Sequence, residues 1–405
     1  MSGRLSEITV GEVCQVFDGP HATPTRLDSG PVFLGITSLN KGRIDLDSSD
    51  HVSEEDFAKW TRRVTPRPGD VVFSYETKLG EAAIIPEGLR CCLGRRMGLM
   101  RPDPQRLDSR FLLYYYLGPE FQDVIRERTI HGSTVERLAL IEFPKFPLRI
   151  PPLAEQKAVA AVLGALDDKI ELNRRMNATL EAMARALFAL WIQRYANEIE
   201  EQLVENLIDE RTLIIGDGYR AKNSEFGSGG IPFVRAGNLK LDGFDLDGAE
   251  ILSARSVTAA GHKIGQIGDV AFTSKGTVGR ITRVSAKTGS FVYSPQVCFW
   301  RAVDTQRLNP AVLYRWMNTD AFTRQVAQVS TQTDMAPYVS LQDQRKMAIQ
   351  LPPPKAQQEV AKQLEPIDAK IAANAEQSRT LATLRDTLLP KLLSGTIRPN
   401  FQNYE

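Results

Sequence analysis

Two stretches of the chain gather cations with no acid among them. Residues 88–102 hold Arg90, Arg95, Arg96 and Arg101, and residues 270–303 hold Lys275, Arg280, Arg283, Lys287 and Arg301. Contacts to phosphate require such patches, and arginine also reads guanine through paired donors. In the second stretch, Ser274-Lys275-Gly276-Thr277-Val278-Gly279-Arg280 sets small and basic residues together, which suits close approach to a phosphate backbone. Two polar segments further along, His131-Gly132-Ser133-Thr134 and Thr331-Gln332-Thr333-Asp334, carry side chains that can meet phosphates or base edges, although the same residue types serve as turns and caps. The candidate DNA contacts are therefore Lys78, Arg95, Arg96, Ser133, Thr134, Ser274, Lys275, Thr277, Arg280, Gln296, Gln332 and Thr333. One basic patch could be an ordinary solvated face. Its recurrence at corresponding places in two halves favours nucleic acid.

Other chemistries lack their residues. Cys14, Cys91, Cys92 and Cys298 form no C-x-x-C pair and read as structural thiols of a reducing compartment. His21, His51, His131 and His262 are isolated from one another, so no metal is expected. There is no Gly-rich dinucleotide fingerprint, P-loop or nucleophile elbow. Leu351-Pro352-Pro353-Pro354 lacks the amide or carboxylate and the aromatic of an adenine-methylating motif. Pro102-Asp103-Pro104 is not followed by a carboxylate-x-Lys nuclease triplet. No catalytic residue is expected in this chain.

The elements that must hold these loops are repeated. Pro151-Pro152-Leu153-Ala154-Glu155-Gln156 and Pro352-Pro353-Pro354-Lys355-Ala356-Gln357 open two segments that match without gaps at an offset of 201 (352 − 151). Gln156 falls on Gln357, Leu163 on Leu364, Asp167 on Asp368, Lys169-Ile170 on Lys370-Ile371, Asn173 on Asn374, Thr179-Leu180 on Thr380-Leu381 and Leu187 on Leu388. Many of these are polar, and helical periodicity alone does not require them. Fainter echoes precede each segment, such as Gly69-Asp70-Val71 with Phe73 against Gly268-Asp269-Val270 with Phe272. The order of blocks is kept, as expected from duplication of a whole unit. The helical part is well matched and the globular part is not, which suggests one scaffold carrying two different surfaces.

Apolar residues at steps of four and three (Val159, Leu163, Leu166, Ile170, then Leu180, Leu187, Trp191, and their counterparts from Val360 to Leu388) predict two long helices with a coiled-coil seam. Asn173, Asn177, Asn374 and Ser378 interrupt the seam and would select its register, and Arg385 falls on a further seam position. The two helices are expected to pair antiparallel with each other; the alternative is that each packs separately on its own domain. A helix of ~40 residues spans ~60 Å, so a pair would act as a ruler between two domains. Pro366 is expected to kink the second helix, and Pro390 and Gly395 to close it. The globular parts read as mixed α/β, with a helix over 109–127 and another over 310–328. Tyr114-Tyr115-Tyr116 falls in the first of these, as packing rather than base stacking.

The composition permits this organisation: 405 residues, 42% hydrophobic, with a formal net charge of +1 that argues neither for nor against nucleic acid. No apolar run is long enough to span a membrane and the N-terminus has no secretory character, so the expected location is the cytoplasm.

The organisation resembles the specificity subunit of type I restriction-modification systems over essentially the full length. Pro151-Pro152-Leu153-Ala154-Glu155-Gln156 and Leu388-Leu389-Pro390-Lys391-Leu392-Leu393-Ser394-Gly395 are similar to patterns of that family's spacers. The resemblance implies a target-recognition domain over 1–150, a spacer helix over 151–197, a second recognition domain over 198–351 and a second spacer over 352–405. It further implies a bipartite double-stranded DNA target, one half per domain, and docking of two adenine-methylating modification subunits that carry S-adenosylmethionine. A motor-nuclease subunit joins in some systems. The chain itself holds no cofactor and catalyses nothing on this reading. A coiled-coil structural protein without DNA specificity, and an enzyme with an unrecognised site, are the alternatives.

Overall fold

The glycine-aspartate-valine blocks seen in both halves build the same structural corner. Gly69 (φ 88°) and Gly268 (φ 93°) adopt a left-handed turn that a Cβ would strain. The aspartate that follows accepts from the backbone three residues back, Asp70 from Arg67 N at 2.8 Å and Asp269 from Gln266 N at 3.0 Å. Each then grips an arginine of the neighbouring strand with both oxygens: Asp70 takes Arg101, at 2.9 and 2.7 Å, and Asp269 takes Arg301, at 2.6 and 2.7 Å. The valines and phenylalanines behind each corner run into a buried strand.

A computed structural model describes residues 5–21, 23–132, 135–240, 243–330 and 337–399. The chain divides into two compact units, residues 1–169 with 381–405, and residues 170–380, so that each long helix passes through both.

In the first unit a four-stranded antiparallel sheet runs in the order Cys14–Asp18, Met97–Pro102, Val71–Ser74, Ala82–Ile84. Beside it, Leu27–Leu34 pairs antiparallel with Asp50–His51 and parallel with Cys91–Leu93. Ser6–Thr9 pairs with Pro147–Ile150 and closes the domain on itself. The second unit repeats the plan: Leu213–Asp217, Val297–Ala302, Val270–Thr273, Ile281–Arg283 in the four-stranded sheet, and Ile251–Leu252, Phe226–Val234, Val292–Tyr293 in the smaller one. Its closing pair is Glu200–Leu203 with Ala348–Leu351.

The helix expected over 109–127 is two helices, Ser109–Leu117 and Pro119–Arg128, because Gly118-Pro119 removes an N–H and disfavours helical backbone at the glycine. The second unit breaks likewise, into Pro310–Met317 and Asp320–Ser330. Tyr114, Tyr115 and Tyr116 are buried in the first unit's core, in line with packing.

The long helices are Leu153–Arg194 and Pro354–Leu393, of 42 and 40 residues. The second continues unbroken through Pro366, and it runs three residues beyond Pro390 before Gly395 (φ 72°) ends it, with its N–H on Leu392 O at 3.2 Å. Pro390 therefore does not close this helix. Within each unit the two helices run antiparallel. In the second unit Asn173 meets Gln377 and Ser378, Asn177 meets Ile371, and Tyr195 meets Glu359. In the first, Asp167 meets Arg385 at 2.7 Å and Glu155 lies 3.8 Å from Arg398.

Both helices contribute to both cores. Val159, Leu163, Leu392 and Leu393 are buried among the residues of the first domain, and Ala184, Phe188, Trp191, Val360 and Leu364 among those of the second. The repeated glutamines fasten the helix starts. Gln156 accepts from Asp108 N (3.0 Å) and donates to Arg106 O and Pro151 O, at 3.1 and 2.9 Å. Gln357 makes the same three bonds to Asn309 N, Arg307 O and Pro352 O, at 3.0, 3.0 and 2.9 Å. Asp108 and Asn309 in turn cap the helices that follow them. Replacing either glutamine by alanine strands buried backbone groups, so Gln156→Ala and Gln357→Ala should each cost about 2 kcal/mol in urea unfolding; an unchanged midpoint in both would show that the clamp carries no stability.

Candidate nucleic-acid interface

Three segments meet at one end of the four-stranded sheet in each unit. In the first, the tip of the hairpin between Val71–Ser74 and Ala82–Ile84 is clasped on two sides. Tyr75 N donates to Arg96 O, in the turn before the central strand, at 3.2 Å, and Leu138 N donates to Tyr75 O at 2.9 Å. Thr77 N donates to Glu136 O at 3.2 Å. The second unit repeats this bond for bond: Ser274 N to Gln296 O at 2.9 Å, Val339 N to Ser274 O at 3.0 Å, and Gly276 N to Pro337 O at 3.3 Å. Thr77 and Gly276 share a left-handed backbone (φ 69° and 75°), as do Gly80 and Gly279 (φ 84° and 95°).

The candidates brought together in the first unit are Lys78, Arg95 and Arg96. Lys78 is exposed, with Nζ 3.4 Å from Leu39 O. Arg95 is exposed at the tip of its turn. Arg96 is half-buried and pairs with Glu76 at 2.6 Å, so its charge is partly spent inside the cluster. In the second unit the cluster holds Ser274, Lys275, Thr277, Arg280 and Gln296. Thr277, Arg280 and Gln296 are exposed. Lys275 lies over the ring of Tyr338, 4.5 Å from its centre. Ser274 is buried, and its hydroxyl faces Gln296 O at 3.4 Å, so it shapes the turn and presents nothing to solvent. Ser133, Thr134, Gln332 and Thr333 lie outside the described residues.

Acid-free in sequence is not acid-free in space. Arg101 and Arg301 are held by Asp70 and Asp269, Arg90 by Glu54 at 2.5 Å, Arg283 by Asp368 at 3.1 Å and Lys287 by Glu376 at 3.2 Å. Among the described residues Arg95, Lys275 and Arg280 form no ion pair, and they stand at the clasped loops. Two further residues join this surface unforeseen: Tyr338, exposed beside Lys275, and Arg137, exposed on the strand that abuts Glu76. Their only signal in sequence was their place just after the two polar segments.

The seam residues singled out in the sequence are in contact. Asn173 and Asn374 are buried; Asn173 Nδ2 donates to Gln377 Oε1 (2.9 Å) and Ser378 Oγ (3.3 Å), and Asn374 Nδ2 to Asn177 Oδ1 (2.8 Å). All four cysteines are free and buried. Burial pushes the thiols of Cys14, Cys91 and Cys92 up to about 12, which leaves them unreactive at neutral pH. Among the described residues no group of His, Cys, Asp and Glu is placed to hold a metal, and no helix is long and apolar enough to cross a membrane.

The chain thus presents the same clasped loops twice, each on a domain completed by shared helices. The model of the type I restriction modification DNA specificity domain matches residues 6–182 and again 215–382, most of the chain, and the chain belongs to that family. It is similar to the type I restriction enzyme MjaIX specificity subunit of Methanocaldococcus jannaschii, 22% identical over 363 residues, covering 86% of this chain and 82% of that one. It is also similar to the HindI specificity subunit of Haemophilus influenzae, 37% identical over 60 residues, 15% of this chain and 13% of that one. In fold it is similar to the type I restriction-modification system S subunit from M. genitalium, with a TM-score of 0.61 and 16% identity, covering 97% of this chain and 96% of that one. This protein is a type I restriction-modification specificity subunit with two recognition domains.

Phosphate contacts carry no sequence information, so Lys275→Ala with Arg280→Ala should weaken binding to every duplex alike and lower the slope of log K against log salt by about 1–2. Salt titration of binding measures this, and an unchanged slope and affinity would remove the second cluster from the interface.

Proposed function

We propose that the chain reads a bipartite double-stranded DNA sequence, one half per recognition domain, through the two clasped loop clusters. The domains are those over 1–150 and 198–351, with the helical segments over 151–197 and 352–405 as spacers. The single observation that supports this most is the repetition of the clasp: the same backbone frame in each unit, with Arg95 exposed in one, Arg280 exposed in the other, and no acid paired to either among the described residues. Lys78, Thr277, Gln296, Arg137 and Tyr338 would supply further contacts to phosphate, sugar or base, joined by Ser133, Thr134, Gln332 and Thr333 from the adjacent segments.

The paired helices would dock two adenine methyltransferase subunits, and a motor-nuclease subunit where the system has one. S-adenosylmethionine would be held by the methylating partner, this chain needing no cofactor of its own. The chain would catalyse nothing and would act in the cytoplasm, where its DNA lies. The buried amides Asn173 and Asn374, with Asn177 and Ser378, would fix the register of the helix pair and so the distance between half-sites.

Methylation mapping tests this reading directly. With the methyltransferase partner present, exchanging residues 1–150 for another such domain should change one half of the methylated sequence and leave the other intact. A change in both halves would overturn the division of labour, and methylation by the purified chain alone would overturn the non-catalytic role.

A further inference from the structure

The two helix seats beneath the recognition domains are alike in backbone and unlike in buried charge. Aligning Asp108 with Asn309 and Asp167 with Asp368, both at an offset of 201, sets the corresponding side chains side by side. On the helices Ser109–Leu117 and Pro310–Met317 of the two domains, Tyr114 corresponds to Arg315. On the seat, Arg385 corresponds to Ala184 and Ala382 to Glu181.

In the first unit, Asp167 accepts from the Tyr114 hydroxyl and from Arg385 Nη1, each at 2.7 Å. The arginine bonded to it comes from the seat itself, and the recognition domain brings a neutral hydroxyl on the helix with Arg43 Nη2 further off, at 3.6 Å. In the second unit the arginines bonded to the corresponding carboxylate come from the recognition domain instead. Arg315, on the recognition domain and 1% exposed in its side chain, pairs with both Asp368 and Glu181 of the seat. Arg283, again from the recognition domain, adds a second cation on Asp368 at 3.1 Å. Its counterpart in the first domain, at an offset of 199 (269 − 70), is Ile84.

We propose that these buried charges form a key that admits each recognition domain to its own seat and rejects the other. The second domain on the first seat would bury Arg315 beside Arg385, with Asp167 between them and alanine where Glu181 should be. The first domain on the second seat would set a tyrosine in the place of Arg315 and an isoleucine in the place of Arg283, leaving Arg43 to face both Asp368 and Glu181. A buried ion pair adds little to stability against an apolar substitute, but an uncompensated buried charge is strongly destabilising, so the arrangement discriminates more than it stabilises. The half-exposed pair Arg110–Asp168, whose counterparts are Ala311 and Ala369, adds a further mark to the first seat. This inference concerns assembly of the chain and stands apart from the DNA reading.

Thermal unfolding of the full chain tests the key by transplanting it. Tyr114→Arg alone adds a third arginine to Arg385 and Arg43 around Asp167 and should lower the melting temperature by about 5 °C or more. Adding Ala382→Glu and Arg385→Ala gives the first seat the charges of the second, and this triple variant should recover a clear part of the loss. The reciprocal set is Arg315→Tyr, rescued by Glu181→Ala with Ala184→Arg. Recovery in the combined variants supports the key. Tyr114→Arg melting like the unaltered chain, or combined variants no more stable than the single ones, would overturn it.

Discussion

Neither recognition domain has a complete core of its own. The sheet and short helices of the first leave an apolar face that Val159 and Leu163 of one long helix and Leu392 and Leu393 of the other must cover. The second needs Val360 and Leu364 together with Ala184, Phe188 and Trp191. Each fully buried valine, leucine or phenylalanine among these contributes about 1.5–3 kcal/mol, so closure of each domain depends on two helix segments far apart in sequence. This one requirement sets the rest. It forces the helices to run antiparallel within each unit and makes the C-terminal residues part of the first domain's core. It also explains why the compact units cut across both helices instead of leaving them as separate elements.

The polar residues of the repeat follow from the same closure. A helix start that packs beneath a loop must satisfy backbone groups buried there, and Gln156 and Gln357 do so with one accepted and two donated bonds each. Asp167 and Asp368 sit where the helices Ser109–Leu117 and Pro310–Met317 meet the seats, and each receives a donor from that helix and at least one further arginine. The ungapped match between 151 and 187 and its partner segment was therefore legible as duplication without any structure, because helical periodicity does not call for these polar residues. Which carboxylate takes which arginine was not legible. Arg385 reaches Asp167 across 218 positions of sequence, and Arg315 reaches Asp368 across 53. No local pattern records such pairs.

The candidate interface was legible in outline and misleading in detail. The two basic stretches do lie at corresponding places, yet Arg90, Arg101, Arg283, Lys287 and Arg301 find acids supplied by distant parts of the chain. Sequence proximity shows which charges are neighbours along a strand; it does not show which carboxylates the fold folds in beside them. Ser274 failed differently: a small polar residue in a Gly-rich loop looked suited to phosphate, and the loop turns its hydroxyl inward.

What holds the clasped loops together bears on how such a surface can vary. The bonds between hairpin tip, strand turn and following segment run from backbone N–H to backbone carbonyl in both units. Side chains at equivalent places differ freely: Tyr75 against Ser274, Glu76 against Lys275, Arg96 against Gln296, Lys78 against Thr277. A frame closed by main-chain hydrogen bonds asks for a tolerated backbone conformation at Thr77 or Gly276, at Arg96 in the first unit and at the glycines that end the hairpin. It asks nothing of the side chains that point away from it. The weak match of the globular halves beside the strong match of the helices is then the expected outcome. The helices are constrained by burial on several sides at once, whereas the loops are constrained in their backbone and released in the groups that would meet a ligand.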